Sequence, residues 1–164
     1  MEEIYIGRSV RESRIAPTEY CSQARTGFDS AIFEDRYSFR STATRAADGR
    51  VVDANVQTIG SLHACFGPTA NPANSSFYAE GALGGVSFTG NGECHMVRAD
   101  FPERGLYPFR CFLDLTGLPA DYAGGELTTN SIVSRNTLGP ETDPPGYSQS
   151  SIATIRLWRK QPER

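Results

Sequence analysis

No contiguous catalytic signature is written into this chain. It contains no Gly-x-Ser-x-Gly elbow, no His-Glu-x-x-His pair, no Gly-rich loop ending in Gly-Lys to cradle phosphates and no dinucleotide-binding glycine triplet. Serine hydrolysis, zinc proteolysis and nucleotide chemistry therefore lose their support. Cys21, Cys65, Cys94 and Cys111 form an even, widely spaced set without a Cys-x-x-Cys pair, and only His63 and His95 could join them. That spacing argues against a zinc site, so no metal and no cofactor is expected. Two disulfides are the competing reading. They place the protein in a periplasmic or secreted setting with its signal peptide already removed, whereas reduced cysteines would place it in the cytoplasm.

The remaining acids, histidines, arginines and tyrosines can be ranked only by the elements that position them. Sixteen Gly and ten Pro punctuate the chain, and the runs between them alternate with a period of two and almost none with a helical period. The chain reads as strands. A first hairpin joins 37–45 to 51–66 through Asp48-Gly49, residues that tolerate the positive φ of a tight turn. That turn sets Tyr37 opposite Gly60, Phe39 opposite Thr58 and Ala43 opposite Ala54. A strand over 77–83 turns at Gly84-Gly85 into 86–99, which pairs with 107–115 across the loop 100–106. A symmetric register for that second hairpin puts Cys94 opposite Cys111, His95 opposite Arg110 and Arg98 opposite Tyr107. Cysteines facing across an antiparallel pair can bond, so Cys94 with Cys111 is the preferred bridge and Cys21 with Cys65 follows by elimination. Strands over 126–134 and 151–158 complete the set.

Seven or eight strands joined by short turns favour closure, because a flat sheet of this size would leave two long edges able to pair with other molecules. The expected fold is all-β: one domain, 1–164, a closed antiparallel barrel of about eight strands, with an irregular N-terminal segment over about 1–30. With 38% hydrophobic residues in 164, the chain can bury a core by itself. The formal charge of -3 gives no electrostatic case for nucleic acid. No apolar run reaches the roughly 20 residues of a spanning helix, so no membrane partner is expected.

The register ranks the candidates. Val86, Phe88, Cys94 and Met96 share a face with Phe109, Cys111, Leu113 and Leu115, and that face is the core. Arg98 falls on it opposite Tyr107, so a cation and a phenol meet at one mouth of the barrel, where they could grip an anion or carbonyl. The plainer reading is a snorkelling Arg98 under a packed Tyr107. Tyr37, Tyr78, Phe88 and Phe109 are the interior candidates for contacting a substrate. Glu93, His95 and Arg110 share the opposite, polar face and make a second-choice acid/base site if a subunit covers them. His63 keeps polar company by alternation, yet a bulge at Gly60 could turn it inward. Glu126 follows Gly124-Gly125, where backbone can approach a ligand, and would serve as a general base if it pointed into the cavity.

The segment from Gly117 to Thr129, Gly-Leu-Pro-Ala-Asp-Tyr-Ala-Gly-Gly-Glu-Leu-Thr-Thr, resembles the late-barrel element of the allene oxide cyclase-like barrels, in which a strand ending in Gly leads to an aromatic, a small residue, Gly and another strand. That superfamily includes plant allene oxide cyclases, dirigent proteins and bacterial spirotetronate cyclases. The resemblance implies an eight-stranded barrel with an apolar cavity, often dimeric or trimeric, that steers reactive intermediates by shape. No catalytic residue carries over, because no branch's site pattern occurs here, and the four cysteines depart from the intracellular cyclases. Lipocalin-like barrels are the alternative, although their Gly-x-Trp signature is absent near the first strand.

The leading expectation is a cofactor-independent lyase, isomerase or cyclase acting on a small hydrophobic or aromatic substrate inside the barrel; the alternative is an exported binding protein that leaves such a molecule unchanged, and a further alternative is a structural or interaction subunit with a filled barrel. A homo-oligomer is the expected assembly.

Overall fold

The structure, a computed structural model, describes residues 1–24, 31–41, 44–45, 51–52, 57–97, 106–134 and 149–161. Eight strands close a barrel: β1 (Glu2–Ile15), β2 (Phe33–Ser41), β5 (Thr58–Pro68), β6 (Asn74–Leu83), β7 (Val86–Met96), β8 (Leu106–Thr116), β9 (Tyr122–Ser134) and β10 (Gln149–Arg159). Around the barrel they run β1-β10-β9-β8-β7-β6-β5-β2, and every neighbouring pair is antiparallel. The short strands β3 (Thr44–Arg45) and β4 (Val51–Val52) form a separate two-stranded sheet, and α1 (Glu19–Ala24) is a short helix. An all-β closed barrel of eight strands is thus the fold.

The second hairpin has the expected register, with Cys94 opposite Cys111 and His95 opposite Arg110. Gly84 and Gly85 turn β6 into β7 with φ of 54° and 85°, a left-handed geometry open to glycine at little cost. The first hairpin is displaced from expectation. Tyr37 pairs with Leu62 and Phe39 with Gly60, two residues along, while the pairing shifts between Phe39 and Arg40. A two-residue slip keeps every side chain on its face, so the interior side of β2 is as read and only the partners change. Ala43, Asp48, Gly49 and Ala54 lie outside the described residues.

The N-terminal segment expected to be irregular is instead largely strand. β1 is the longest strand and closes the barrel between β2 and β10. Its pattern is inverted: Ile4 and Ile6 are exposed on the outer wall, while Gly7, Ser9 and Arg11 are buried inside. The pairing with β2 shifts between Arg11 and Ser13, a bulge at Glu12 that swaps the parity of the strand. Arg11 therefore faces Tyr37, Arg14 faces Asp35, and both arginines occupy inward positions only three residues apart.

One end of the barrel is filled. Phe39, Leu83, Leu127, Ile155 and Leu157 are at most 2% exposed there, and Tyr5, Ile59, Val86 and Leu118 pack against them. Burying a leucine side chain is worth about 1.5–3 kcal/mol, so this plug anchors the fold. A second, smaller cluster lies outside the wall, where α1 carries Cys21 onto Cys65 of β5 and Tyr78 of β6.

Candidate functional site

The other end of the barrel is hollow. A cavity of about 330 Å³ lies among the strands of the barrel, lined by residues of β1, β2 and β5 to β10, at the lower limit of the roughly 300–1,000 Å³ usual for small-molecule sites. Two half-walls of different chemistry line it. Leu62, Phe66, Phe77, Met96 and Phe109 form the apolar half, together with the Cys94–Cys111 disulfide, and the rings of Phe66 and Phe77 stack at 4.5 Å. Alternation explains this half, because each of these strands turns its apolar set inward.

The polar half comes from β1, β2, β9 and β10. Ser9, Thr129, Ser131 and Ser151 turn hydroxyls into it, and Ser131 and Ser151 share a hydrogen bond of 2.8 Å. Beside them, Asp35 is fully buried. Arg14 grips it with two bonds, Nε to Oδ1 at 2.8 Å and Nη2 to Oδ2 at 2.7 Å, and the Tyr37 hydroxyl donates to Oδ2 at 2.6 Å. The Arg14 guanidinium also lies 3.9 Å over the Phe33 ring. Burial, then the charge of Asp35, pushes the Tyr37 phenol well above its ordinary value. Tyr37 thus stays protonated and works as a hydrogen-bond donor.

Of the residues expected in this site, Tyr37 and Phe109 line the cavity, and Phe88 is buried in the core without lining it. Tyr78 is a correction. Its neighbours Phe77 and Ala79 take the inward positions, so Tyr78 is buried on the outer wall beneath α1, where its hydroxyl donates to Glu80 at 2.6 Å. Glu126 is another: it lies on the outer wall 3.0 Å from Arg156, which also pairs with Glu2. The adjacent Gly125 admits Leu157 and Leu115 rather than a ligand, since a Cβ there would stand 2.8 Å and 3.3 Å from those side chains. Arg98 lies outside the described residues. Tyr107 is described only as a backbone position in β8, paired with Val133.

His63 also faces outward, because the bulge on β5 precedes it without reversing it. It joins a site that the sequence did not reveal. Its Nε2 stands 2.5 Å from Oε1 of Glu34, a carboxylate only 2% exposed, and its ring stacks on Tyr20 at 3.7 Å. Glu34 accepts further bonds from the backbone N–H of Thr18 at 3.0 Å and its hydroxyl at 2.7 Å. Burial would raise the Glu34 carboxyl, but the bonds from Thr18 and His63 override it and hold the group below its ordinary value. With the Cys21–Cys65 disulfide, this cluster fastens α1 to the barrel wall.

Glu93, His95 and Arg110 share the outer face as expected. His95 lies 3.6 Å from Glu93, both about half exposed, and Arg110 covers the Phe112 ring at 4.6 Å. The residues that sequence reasoning missed are Arg14, Asp35 and the serines. A charged residue two positions before Tyr37 on one strand was the available signal for Asp35, whereas Arg14 depends on the bulge.

The two disulfides are compatible with an oxidising, extracellular location, and among the described residues no helix is long and apolar enough to cross a membrane. Compared with models of protein families, with curated proteins and with solved structures, the chain matches none.

Proposed function

We propose that the barrel is an exported binding protein that holds a small, largely hydrophobic molecule in the cavity at its open end. The observation that carries this reading is the 330 Å³ space walled on one side by Phe66, Phe77, Met96 and Phe109. A purely structural subunit would have that space filled. Binding ranks ahead of catalysis because the titratable groups among the described lining residues are Arg14 and Tyr37, and neither exchanges a proton readily near neutral pH.

A cofactor-independent lyase, isomerase or cyclase is the second reading. The buried chain of Tyr37, Asp35 and Arg14 favours it, since a phenol oxygen fixed by its bond to Asp35 can accept a hydrogen bond from a substrate hydroxyl at the cavity wall and orient it. The resemblance to the allene oxide cyclase-like barrels supports a cavity under either reading.

Titration with the neutral fluorophore N-phenyl-1-naphthylamine tests the site. Saturable binding to the wild type that is lost in Ser75→Phe, which fills the cavity from β6, supports the reading; equal binding by both proteins overturns it. Recovery of a native ligand unaltered after long incubation separates the binder from the enzyme.

The homo-oligomer is assigned to the outer wall of β1 and β10. Ile4, Ile6 and Ile152 are more than half exposed there, beside the Glu2–Arg156 ion pair.

A further inference from the structure

We propose that the molecule held in the cavity is an uncharged ring compound carrying two neighbouring oxygen atoms on one edge, recognised by a row of serines that crosses three strands. This rests on the cavity being a small-molecule site and names the class of ligand that fits it.

Ser9 pairs with Ser151 across β1 and β10, and Ser151 pairs with Ser131 across β10 and β9. All three line the cavity and are 2–7% exposed. Residues opposed in a ladder point the same way, so the three hydroxyls form one line on the cavity wall. The bond between Ser131 and Ser151 uses one of their two hydroxyl protons. Among the described residues, the other proton, and the hydroxyls of Ser9 and Thr129, have no protein partner. A purely apolar ligand would strip water from this row and replace none of its bonds, at roughly a tenfold loss of affinity for each. A ligand edge with two adjacent hydroxyl or carbonyl oxygens replaces two.

The facing wall sets the rest of the molecule. The stacked Phe66 and Phe77 rings, Phe109 and the Cys94–Cys111 disulfide offer a flat apolar surface suited to a ring. The ligand is uncharged because, among the described residues, the one cation lining the cavity is Arg14, which is already engaged bidentately by Asp35, and an anion placed there would meet that carboxylate.

Calorimetric or fluorescence titration with naphthalene, 2-naphthol and 2,3-dihydroxynaphthalene tests the proposal on the whole chain. The expected wild-type result is about a tenfold gain in affinity for each oxygen. In Ser131→Ala and in Ser151→Ala, each of which removes one hydroxyl of the row, the ratio between the dihydroxy compound and naphthalene falls about tenfold, while Ser151→Thr, which keeps a hydroxyl, retains the preference. Equal wild-type affinities for the three probes, or an unchanged ratio in both alanine variants, overturns the assignment while leaving the cavity reading intact. Failure of naphthalene itself to bind overturns both.

Discussion

Glu34 and Asp35 are consecutive, both carboxylates are buried, and they serve opposite sides of the barrel wall. Asp35 turns inward to Arg14 and Tyr37; Glu34 turns outward to His63 and Thr18. A strand puts neighbours on opposite faces, so one dipeptide holds together the polar half of the cavity and the clasp on α1. Asp35→Asn leaves the Arg14 guanidinium without its countercharge and is expected to cost about 3–5 kcal/mol. Glu34→Gln keeps a hydrogen-bonding group of the same shape in place and is expected to cost about 1–3 kcal/mol. Urea unfolding of the two variants checks the order; a larger loss for Glu34→Gln would refute it.

The lowered Glu34 carboxyl makes stability depend on pH in a definite direction. Its folded value lies below the ordinary 4.5, so between the two values the native state holds fewer protons than the unfolded chain. The stabilisation is complete above the unfolded value and is lost as pH falls through the folded one. Glu34→Gln should therefore flatten the acid limb of a plot of urea midpoint against pH below about 4.5. Tyr37 has the opposite sign. Its raised phenol gives stability that is intact below about pH 10 and lost as pH rises through the folded value, so Tyr37→Phe should flatten the alkaline limb. Limbs unchanged in both variants would assign the pH dependence to other groups.

The strands that were legible from sequence are those that bury apolar residues at every second position. β7 and β8 illustrate this, since Phe88, Cys94, Leu113 and Leu115 fix a face, and with it the register that brings Cys94 to Cys111. β1 was hidden because it breaks that rule, with isoleucines outside and Gly7, Ser9 and Arg11 inside. The polar half of the cavity lies on such strands, and a pattern search that equates inside with apolar passes over it. Tyr78 misled for the complementary reason. Alternation places it near the interior as an aromatic in an apolar run, but Phe77 and Ala79 take the inward positions and α1 covers Tyr78 from outside, a tertiary contact with no local signal. Arg14 needed the bulge at Glu12, which no single residue announces.

Gly92 is required by space rather than by backbone angle. A Cβ there would stand 1.7 Å from the carbonyl oxygen of Phe112 on the paired strand, and backbone cannot step aside without breaking the ladder. Gly85 has a φ of 85° but nothing within 4 Å of a Cβ. Gly85→Ala is therefore expected to cost about 1–2 kcal/mol from strain alone, and Gly92→Ala distinctly more. Thermal unfolding of the two variants checks the ranking, and a milder effect for Gly92→Ala would contradict it.

The two disulfides should separate stability from binding. Cys21–Cys65 closes 44 residues and Cys94–Cys111 closes 17, so the chain-entropy account gives about 4 against about 3 kcal/mol of stabilisation. Their positions differ more than their energies. Cys94 and Cys111 line the cavity, whereas Cys21 and Cys65 lie outside the barrel wall under α1. The double replacement Cys94→Ala with Cys111→Ala removes two sulfur atoms from the apolar wall and should weaken N-phenyl-1-naphthylamine binding severalfold. Cys21→Ala with Cys65→Ala should lower the urea midpoint at least as far, yet leave the probe affinity within about twofold, because none of the described side chains of α1 lines the cavity. A loss of affinity on releasing α1 would mean that the outer clasp and the cavity are coupled through β2, where Glu34 and Asp35 stand side by side.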